Sequence, residues 1–218
     1  MSDLLLVLIP FICFVGAFFS TVAGLGGGLM ILACTSLLLP ISQVIPLNGV
    51  IILAGQITRV IQFRKHICWE ITRPFIPGSM LGAALGTLIY VKLPEIFIAL
   101  MLGSVMLWFC WVPATARTRA LAARIPHPWF MVGIFHTFLS TVSGAGGLFQ
   151  SLMVNSKLPK EGVVATIAGT LLFMVLFKST GYILAGFDYS PYLLMIALSW
   201  VMGVAGTALG TRCLNILP

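Results

Sequence analysis

A ten-residue stretch that contains several glycines occurs twice in the chain, at residues 18–27 and 138–147. The two copies share seven of their ten residues and start 120 positions apart. Each copy interrupts an apolar segment with glycines, a pattern typical of helices that break inside a membrane and line a binding site there. The sequence therefore predicts a duplicated unit with two interrupted helices.

The composition places this unit in a membrane. Of the 218 residues, 60% are hydrophobic and 8% are charged, and the mean hydropathy is +1.11. A soluble fold cannot bury that much apolar surface. The apolar runs are long, whereas a β-barrel would show short alternating segments, so the fold class is an all-α polytopic membrane protein. The segments predicted as helices are 4–23, 28–40, 46–63, 74–91, 95–113, 128–144, 147–157, 161–186 and 190–211.

The duplication extends along the whole chain. Leu39-Pro40 matches Leu158-Pro159 at a spacing of 119, which implies that the second copy has lost one residue, most simply the equivalent of Gly28. Farther on, the sequence GAALGT at 82–87 matches GTALGT at 206–211. The chain is therefore predicted to be two copies of one unit.

The lengths of the segments predict that the two copies are inverted. Segments 28–40 and 147–157 would be about 16 to 20 Å long at about 1.5 Å per residue, too short to cross a bilayer of about 30 Å. We expect each to form a Gly-rich broken-helix hairpin with the segment before it, followed by three transmembrane helices. An odd number of crossings then inverts the second repeat.

The predicted domains are a first repeat at 1–115, a basic cytoplasmic linker at 116–127 and a second repeat at 128–218. Leu93-Pro94 of the first repeat is followed by segment 95–113, whereas the matching Leu217-Pro218 ends the sequence. The second repeat is therefore expected to lack its final helix. We favour truncation of a longer natural chain over a naturally shorter repeat.

The basic residues predict the orientation. Most of them fall in short loops, so the positive-inside rule places loops 64–73 and 117–127 in the cytoplasm and the N-terminus and the Asp188 loop outside. Topology then accounts for the net charge of +7, and no nucleic-acid partner is expected. The first apolar segment lacks a basic leader and a cleavage site, so we expect it to remain in a multi-pass protein surrounded by lipid in the inner membrane.

The glycine-rich breaks predict a site for an anion. A helix that starts inside the bilayer exposes unpaired amide N–H groups and the positive end of its dipole, and glycine lets a ligand approach the backbone closely. Arg59 and Lys178 lie at near-equivalent positions of the two repeats, and the sequence leaves open whether they attract anions or snorkel to a helix end. The predicted substrate-binding residues are Ser20, Thr21, Gly24, Gly26, Gly27, Gly28, Ser140, Thr141, Ser143, Gly144, Gly146, Gly147, Gln150, Arg59 and Lys178.

The other polar and sulfur-containing residues carry weaker signals. Gln56, Asn155 and His136 are expected to join helices through hydrogen bonds, with His136 a satisfied interior histidine. The five cysteines are scattered without a paired motif, so we expect no metal site and no disulfide. The first glycine run lacks the Lys-Ser/Thr of a nucleotide-binding loop, so no cofactor is expected.

Two alternatives to a carrier remain open. An anion channel could use the same helix ends. An intramembrane enzyme would need Ser143 as nucleophile and His136 as base, but the first copy has Ala23 in place of the serine. We therefore predict that the chain is not an enzyme.

The chain resembles the TauE/SafE family of sulfite exporter-like transporters in several motifs. These are Ala23-Gly24-Leu25-Gly26-Gly27-Gly28, its copy at 143–147, the elements at 82–86 and 206–210 and the basic loop 64–66 before Trp69. The resemblance covers essentially the whole chain. It implies transport of small sulfur-containing anions such as sulfite, thiosulfate or organosulfonates. The residues alone predict a small anion carried by alternating access, and they leave the oligomeric state open, a homo-oligomer included.

Overall fold

The computed structural model describes residues 3–23, 27–111, 128–145, 148–154 and 158–216, and within these ranges the chain consists of helices and short turns without strands. The α-helices are α1 (Asp3–Ala23), α2 (Gly27–Ser36), α3 (Ile41–Phe63), α4 (Trp69–Tyr90), α5 (Glu95–Trp111), α6 (Pro128–Ser143), α7 (Leu148–Val154), α8 (Lys160–Leu184) and α9 (Leu193–Ile216). Short 3₁₀ helices at Arg64–His66 and Ser190–Tyr192 precede α4 and α9. The predicted all-α class is confirmed.

Two of the predicted helix starts are wrong. Both α3 and α4 begin five residues earlier than predicted, so Pro46 and Pro74 lie inside helices rather than at their boundaries. Pro46 has no N–H to bond the carbonyl of Ser42, and the hydroxyl of Tyr90 donates to that carbonyl instead, at 3.0 Å. A proline inside a membrane helix is tolerated where a neighbouring group satisfies the freed carbonyl.

The short helix α2 folds back along α1. Gly27, at the start of α2, lies against the backbone carbonyl of Gly16 and the side chain of Ser20. Ile31, one turn farther along α2, also lies against Gly16. The two helices therefore form the predicted hairpin.

Two close helix pairs join the first half of the chain to the second. Helix α4 packs along α6, and α9 packs along α1. Glycines make both contacts, since a Cβ at Gly82 would meet the carbonyl of Ile134 and one at Gly206 would meet that of Phe14. The prediction that these later glycines serve helix packing is confirmed.

Helices α3 and α8 pack against each other, and α3 contacts both of these pairs, whereas α8 contacts α4 and α6. The main apolar core lies where α1, α2 and α3 meet, around Ile9, Leu32 and Leu47. By length and composition, four segments of the described chain can cross a membrane, namely Leu4–Val22, Ile41–His66, Lys160–Leu184 and Ser190–Cys213. The chain is thus a polytopic membrane protein.

Candidate anion-binding site

Two basic side chains lie in the interior of the bundle. Arg59 on α3 is 5% exposed and Lys178 on α8 is 1% exposed. These values rule out snorkelling, since a snorkelling side chain keeps its charged end in water. Both residues are therefore interior charges, which in a membrane protein point to a functional site.

Each buried cation contacts a serine of the glycine-rich repeat. The guanidinium of Arg59 donates from Nη1 to Ser20 Oγ at 2.7 Å and from Nε to the Gly55 carbonyl at 3.3 Å. Lys178 Nζ donates to Ser140 Oγ at 3.4 Å. Ser20 and Ser140 are equivalent in the duplicated stretch, and Arg59 and Lys178 are 119 positions apart. The same pair of groups is therefore assembled in each half of the molecule.

Neither cation has a carboxylate partner among the described residues. Four of the five acidic residues lie in the first turns of helices, where the dipole favours a negative charge, namely Asp3, Glu70, Glu95 and Glu161. The fifth, Asp188, is exposed in a loop, where hydrogen bonds from Ser190 lower the pKa of its carboxyl. An unpaired buried cation costs several kcal/mol, which a bound anion would offset.

A cavity lies in front of Arg59. It contains about 330 Å³ of space not filled by atoms, part of it open to the outside, and it reaches the start of α2. Its lining comprises Cys13, Gly16, Ala17, Ser20, Gly27, Gly28, Ile31, Ile51, Ile52, Gly55, Gln56, Arg59 and Gly203. The cavity thus combines a guanidinium, a hydroxyl and the first turn of a helix, all groups that bind anions.

The two glycines at the start of α2 differ in role. A Cβ on Gly27 would clash with the backbone of α1, so this glycine is required for the hairpin to close. A Cβ on Gly28 would meet nothing within 4 Å, so this glycine leaves the cavity open instead. The predicted site residues Gly24, Gly26, Gly146 and Gly147 lie outside the described residues.

Other predicted site residues bond within their own helices. Thr21 and Thr141 donate to the carbonyls four residues before them and pack against Gly210 and Gly86. Ser143 donates to the carbonyls of Leu139 and Ala145, close to the break between α6 and α7. Gly144 has φ +74°, the left-handed conformation expected of a glycine at this break.

The remaining polar residues of the apolar segments are only partly satisfied within the described part of the chain. Gln56 lines the cavity, and its Oε1 has no hydrogen-bond partner among the described residues. His136 is fully buried, and its Nε2 has no partner there, so it is only half satisfied by the described residues. Gln150, a predicted site residue in the first turn of α7, has an Oε1 without a partner among the same residues. Asn155 lies outside the described residues.

The two cation–serine pairs are at different levels of the bundle. Lys178 packs against Gly49, since a Cβ there would be 2.7 Å from Lys178 Cε, whereas Arg59 bonds to Gly55 on the same helix. Six residues of helix correspond to about 9 Å. The glycine-rich repeats therefore contribute to two cation–serine pairs at separate levels of the bundle.

The arrangement needed for a serine nucleophile is not present in the described part of the chain. Ser143 bonds to backbone carbonyls, and the Nδ1 of His136 accepts a hydrogen bond from the N–H of Phe149 at 3.4 Å. Across the described ranges, no group of three or more His, Cys, Asp and Glu residues converges on a potential metal position.

Together, the helical membrane fold and the buried cations without acidic partners define a membrane protein with an interior suited to anions. The family model described as sulfite exporter TauE/SafE matches residues 8–218. The chain belongs to this family of transporters, and the resemblance identified from the glycine motifs is confirmed. No curated protein and no solved structure matches the chain.

Proposed function

We propose that the chain is a secondary carrier that moves a small sulfur-containing anion, such as sulfite, thiosulfate or an organosulfonate, across the inner membrane. Arg59 is the observation that carries the proposal. Its guanidinium is buried, has no carboxylate partner among the described residues, bonds to the neutral groups of Ser20 and Gly55 and lines a cavity at the start of α2. Family membership supports the sulfur chemistry of the substrate.

The donors around the cavity suit an oxyanion. A guanidinium presents several N–H groups in a planar fork that matches two oxygens of one anion. The hydroxyl of Ser20 and the free amide groups in the first turn of α2 supply further donors. Gly28 leaves space in front of these amides, so an anion of a few atoms can reach them.

The second cation–serine pair is proposed as the equivalent half-site of the other repeat. Lys178 and Ser140 face the interior with little exposure to solvent, which favours alternating access over a continuous pore. One repeat would rock or slide against the other to expose each half-site in turn. Single-channel currents through the purified protein would replace this mechanism with that of an anion channel.

Contacts at the two ends of the bundle support inverted repeats at 1–115 and 128–218. The start of α3 and the end of α4 meet where Tyr90 bonds to Ser42. The start of α4 and the start of α8 meet at the other end, where the N–H of Cys68 donates to Thr166 Oγ1. The second repeat would then begin on the side opposite to the first.

The basic 3₁₀ helix Arg64–His66 is exposed, and we propose that its end of the bundle faces the cytoplasm and the N-terminus faces outside. Single cysteines at Ser2, Asp188 and Ala120 in a cysteine-free background test this orientation. A membrane-impermeant thiol reagent applied to whole cells should label positions 2 and 188. Labelling at 120 would reverse the orientation.

Counterflow of radiolabelled sulfite into proteoliposomes tests the function. The variant Arg59→Gln should reduce the initial rate about 100-fold, because the loss of a buried charged partner costs about 3 kcal/mol. A wild-type rate in this variant would refute the cavity as the anion site. If wild-type protein exchanges none of sulfite, thiosulfate, sulfoacetate and sulfate, the proposed substrate class is wrong.

A matched pair of glycine variants controls for folding. Gly28→Val would fill the cavity, whereas Gly103→Val makes the same change on α5, where an added Cβ also meets nothing within 4 Å. We expect sulfite counterflow to fall strongly in the first variant and to stay near wild type in the second. Equal rates in the two would count against the cavity. Gly27 is unsuitable for this test because its substitution would disrupt the hairpin.

A further inference from the structure

His136 on α6 has one nitrogen in use and one free. Its Nδ1 accepts the hydrogen bond from the backbone N–H of Phe149, and the side chain is fully buried. A nitrogen that accepts an N–H carries no proton itself, so the proton of the neutral imidazole is on Nε2. This Nε2 has no partner within the described part of the chain. His136 therefore holds a buried donor group without an acceptor.

The residues beside this donor form the second cation–serine pair. Ser140 lies one turn after His136 on the same face of α6, and its hydroxyl accepts from Lys178 Nζ. Thr137 lies three residues before Ser140, and its hydroxyl oxygen also has no partner among the described residues. The cluster thus contains an ammonium, an imidazole N–H and two hydroxyls, and no carboxylate of the described chain joins it.

The equivalent position in the first repeat is occupied by Gly16, 120 residues earlier. There the start of α2 packs directly on α1, and the donors face a cavity. In the second repeat the Nδ1 of His136 accepts a hydrogen bond from the N–H of Phe149, which is then unavailable to a ligand. The imidazole offers its own Nε2–H instead. The second half-site therefore relies on side-chain donors where the first can use backbone amides.

We propose that Lys178, Ser140 and His136 form a second anion site, in which His136 is a substrate-binding residue that donates Nε2–H to an oxygen of a small oxyanion. The proposal rests on the transport function proposed above and extends it to a residue that the duplicated motif does not contain. The ammonium supplies the charge, and the imidazole and hydroxyls orient the oxyanion.

A purely structural role of His136 predicts a different response to substitution. In that case the essential contact is the one between Nδ1 and the N–H of Phe149. An asparagine carries its amide near the position of Nδ1 and can keep this contact, but it has no group near Nε2. A glutamine carries its amide near the position of Nε2 and can replace the donor, but it does not replace Nδ1.

The two variants are compared by sulfite counterflow and by thermal unfolding. We expect His136→Asn to raise the KM for sulfite about tenfold and His136→Gln to stay within about threefold of wild type, because only the glutamine restores a donor to the anion. The opposite order, or wild-type KM values in both variants, would overturn the proposal.

A measurement on the wild-type protein covers the case in which both variants unfold. Histidine-selective nitrogen-15 NMR should show that saturating sulfite shifts the Nε2 resonance of His136, with His66→Gln and His127→Gln used for assignment. An unchanged resonance would also overturn the proposal.

If Arg59→Gln abolishes transport while the His136 results go against expectation, only the second site fails. If Arg59→Gln has no effect, the proposed transport site itself fails.

Discussion

The Arg59–Ser20 and Lys178–Ser140 pairs occupy equivalent places in the two repeats but have different surroundings. Arg59 bonds to its serine at 2.7 Å and faces a cavity that is partly open to the outside. Lys178 is 3.4 Å from its serine, and its side chain packs closely against Gly49. The duplicated scaffold thus keeps a buried cation next to a serine and changes the space around it.

Small residues in the first repeat account for much of this difference. Gly16 and Gly28 lie beside the first cavity, whereas His136 stands at the position of Gly16 in the second repeat and no residue matches Gly28. The proposed first half-site therefore has open space beside its cation. The second is closely packed, so it should discriminate more strongly by size and shape.

The largest loss of transport is expected when each buried cation is replaced by the residue type of the other. Lys178→Arg adds volume beside Gly49, where an added Cβ would already be 2.7 Å from Lys178 Cε, so we expect sulfite counterflow to fall by about 100-fold through overpacking and loss of the serine contact. Arg59→Lys keeps the charge in an open cavity and should cost about tenfold, because the fork of donors is lost.

Initial rates at saturating sulfite, together with thermal unfolding, measure both exchanges. Lys178→Arg should also lower the unfolding temperature, whereas Arg59→Lys should leave it nearly unchanged. If Lys178→Arg is the milder of the two exchanges, the second half-site is not the closely packed one.

Substitution of two glycines of α3 by alanine is expected to have a smaller effect on transport. Gly49→Ala places a methyl group 2.7 Å from Lys178 Cε and 3.5 Å from its Nζ, so the flexible end of the lysine must shift away from Ser140. Gly55→Ala is the matched comparison: Gly55 lines the cavity, but its new Cβ would be 3.4 Å from Thr207 Oγ1 and 3.9 Å from Arg59 Nη2, which are ordinary contacts that displace no charged donor.

Gly49→Ala is expected to reduce sulfite counterflow about tenfold, and Gly55→Ala less than twofold, because only the first displaces a charged donor. Both add the same methyl group to the same helix, so a difference in intrinsic helix propensity cannot explain the result. Similar rates in the two variants would show that the position of Lys178 does not limit transport.

Much of the fold could be predicted because long apolar segments and repeated Leu-Pro boundaries are local signals. Pro159 directly precedes α8, within one residue of the predicted start, whereas Pro40 precedes α3 five residues before its predicted start. Pro46 misled the prediction because its tolerance inside α3 depends on Tyr90, which is 44 residues away in sequence. A proline rule based on local sequence cannot include such a contact.

The site was less predictable because its defining contacts join distant parts of the chain. The serines and the cations were each identified, but nothing local shows that Arg59 reaches Ser20 or that Lys178 reaches Ser140. One signal was available, since the separations of 39 and 38 residues are nearly the same in the two repeats. The half-satisfied state of His136 depends on the backbone of α7 and has no sequence signature.

The smallest effect is expected from the two threonines that follow the serines. Thr21 and Thr141 each donate to a carbonyl of their own helix, at 2.8 and 2.7 Å, and pack against Gly210 and Gly86. Their hydroxyl protons are therefore already used, and their methyl groups serve the contacts between helices. Thr21→Val and Thr141→Val keep that shape and should change sulfite counterflow less than twofold, at a stability cost of about 1 kcal/mol each.

Ser20→Ala, one residue away, removes the partner of Arg59 and should have the larger effect. If Thr21→Val instead impairs transport as much as Ser20→Ala without lowering the unfolding temperature, the threonine contacts the anion. The first half-site would then extend beyond the residues that line the cavity.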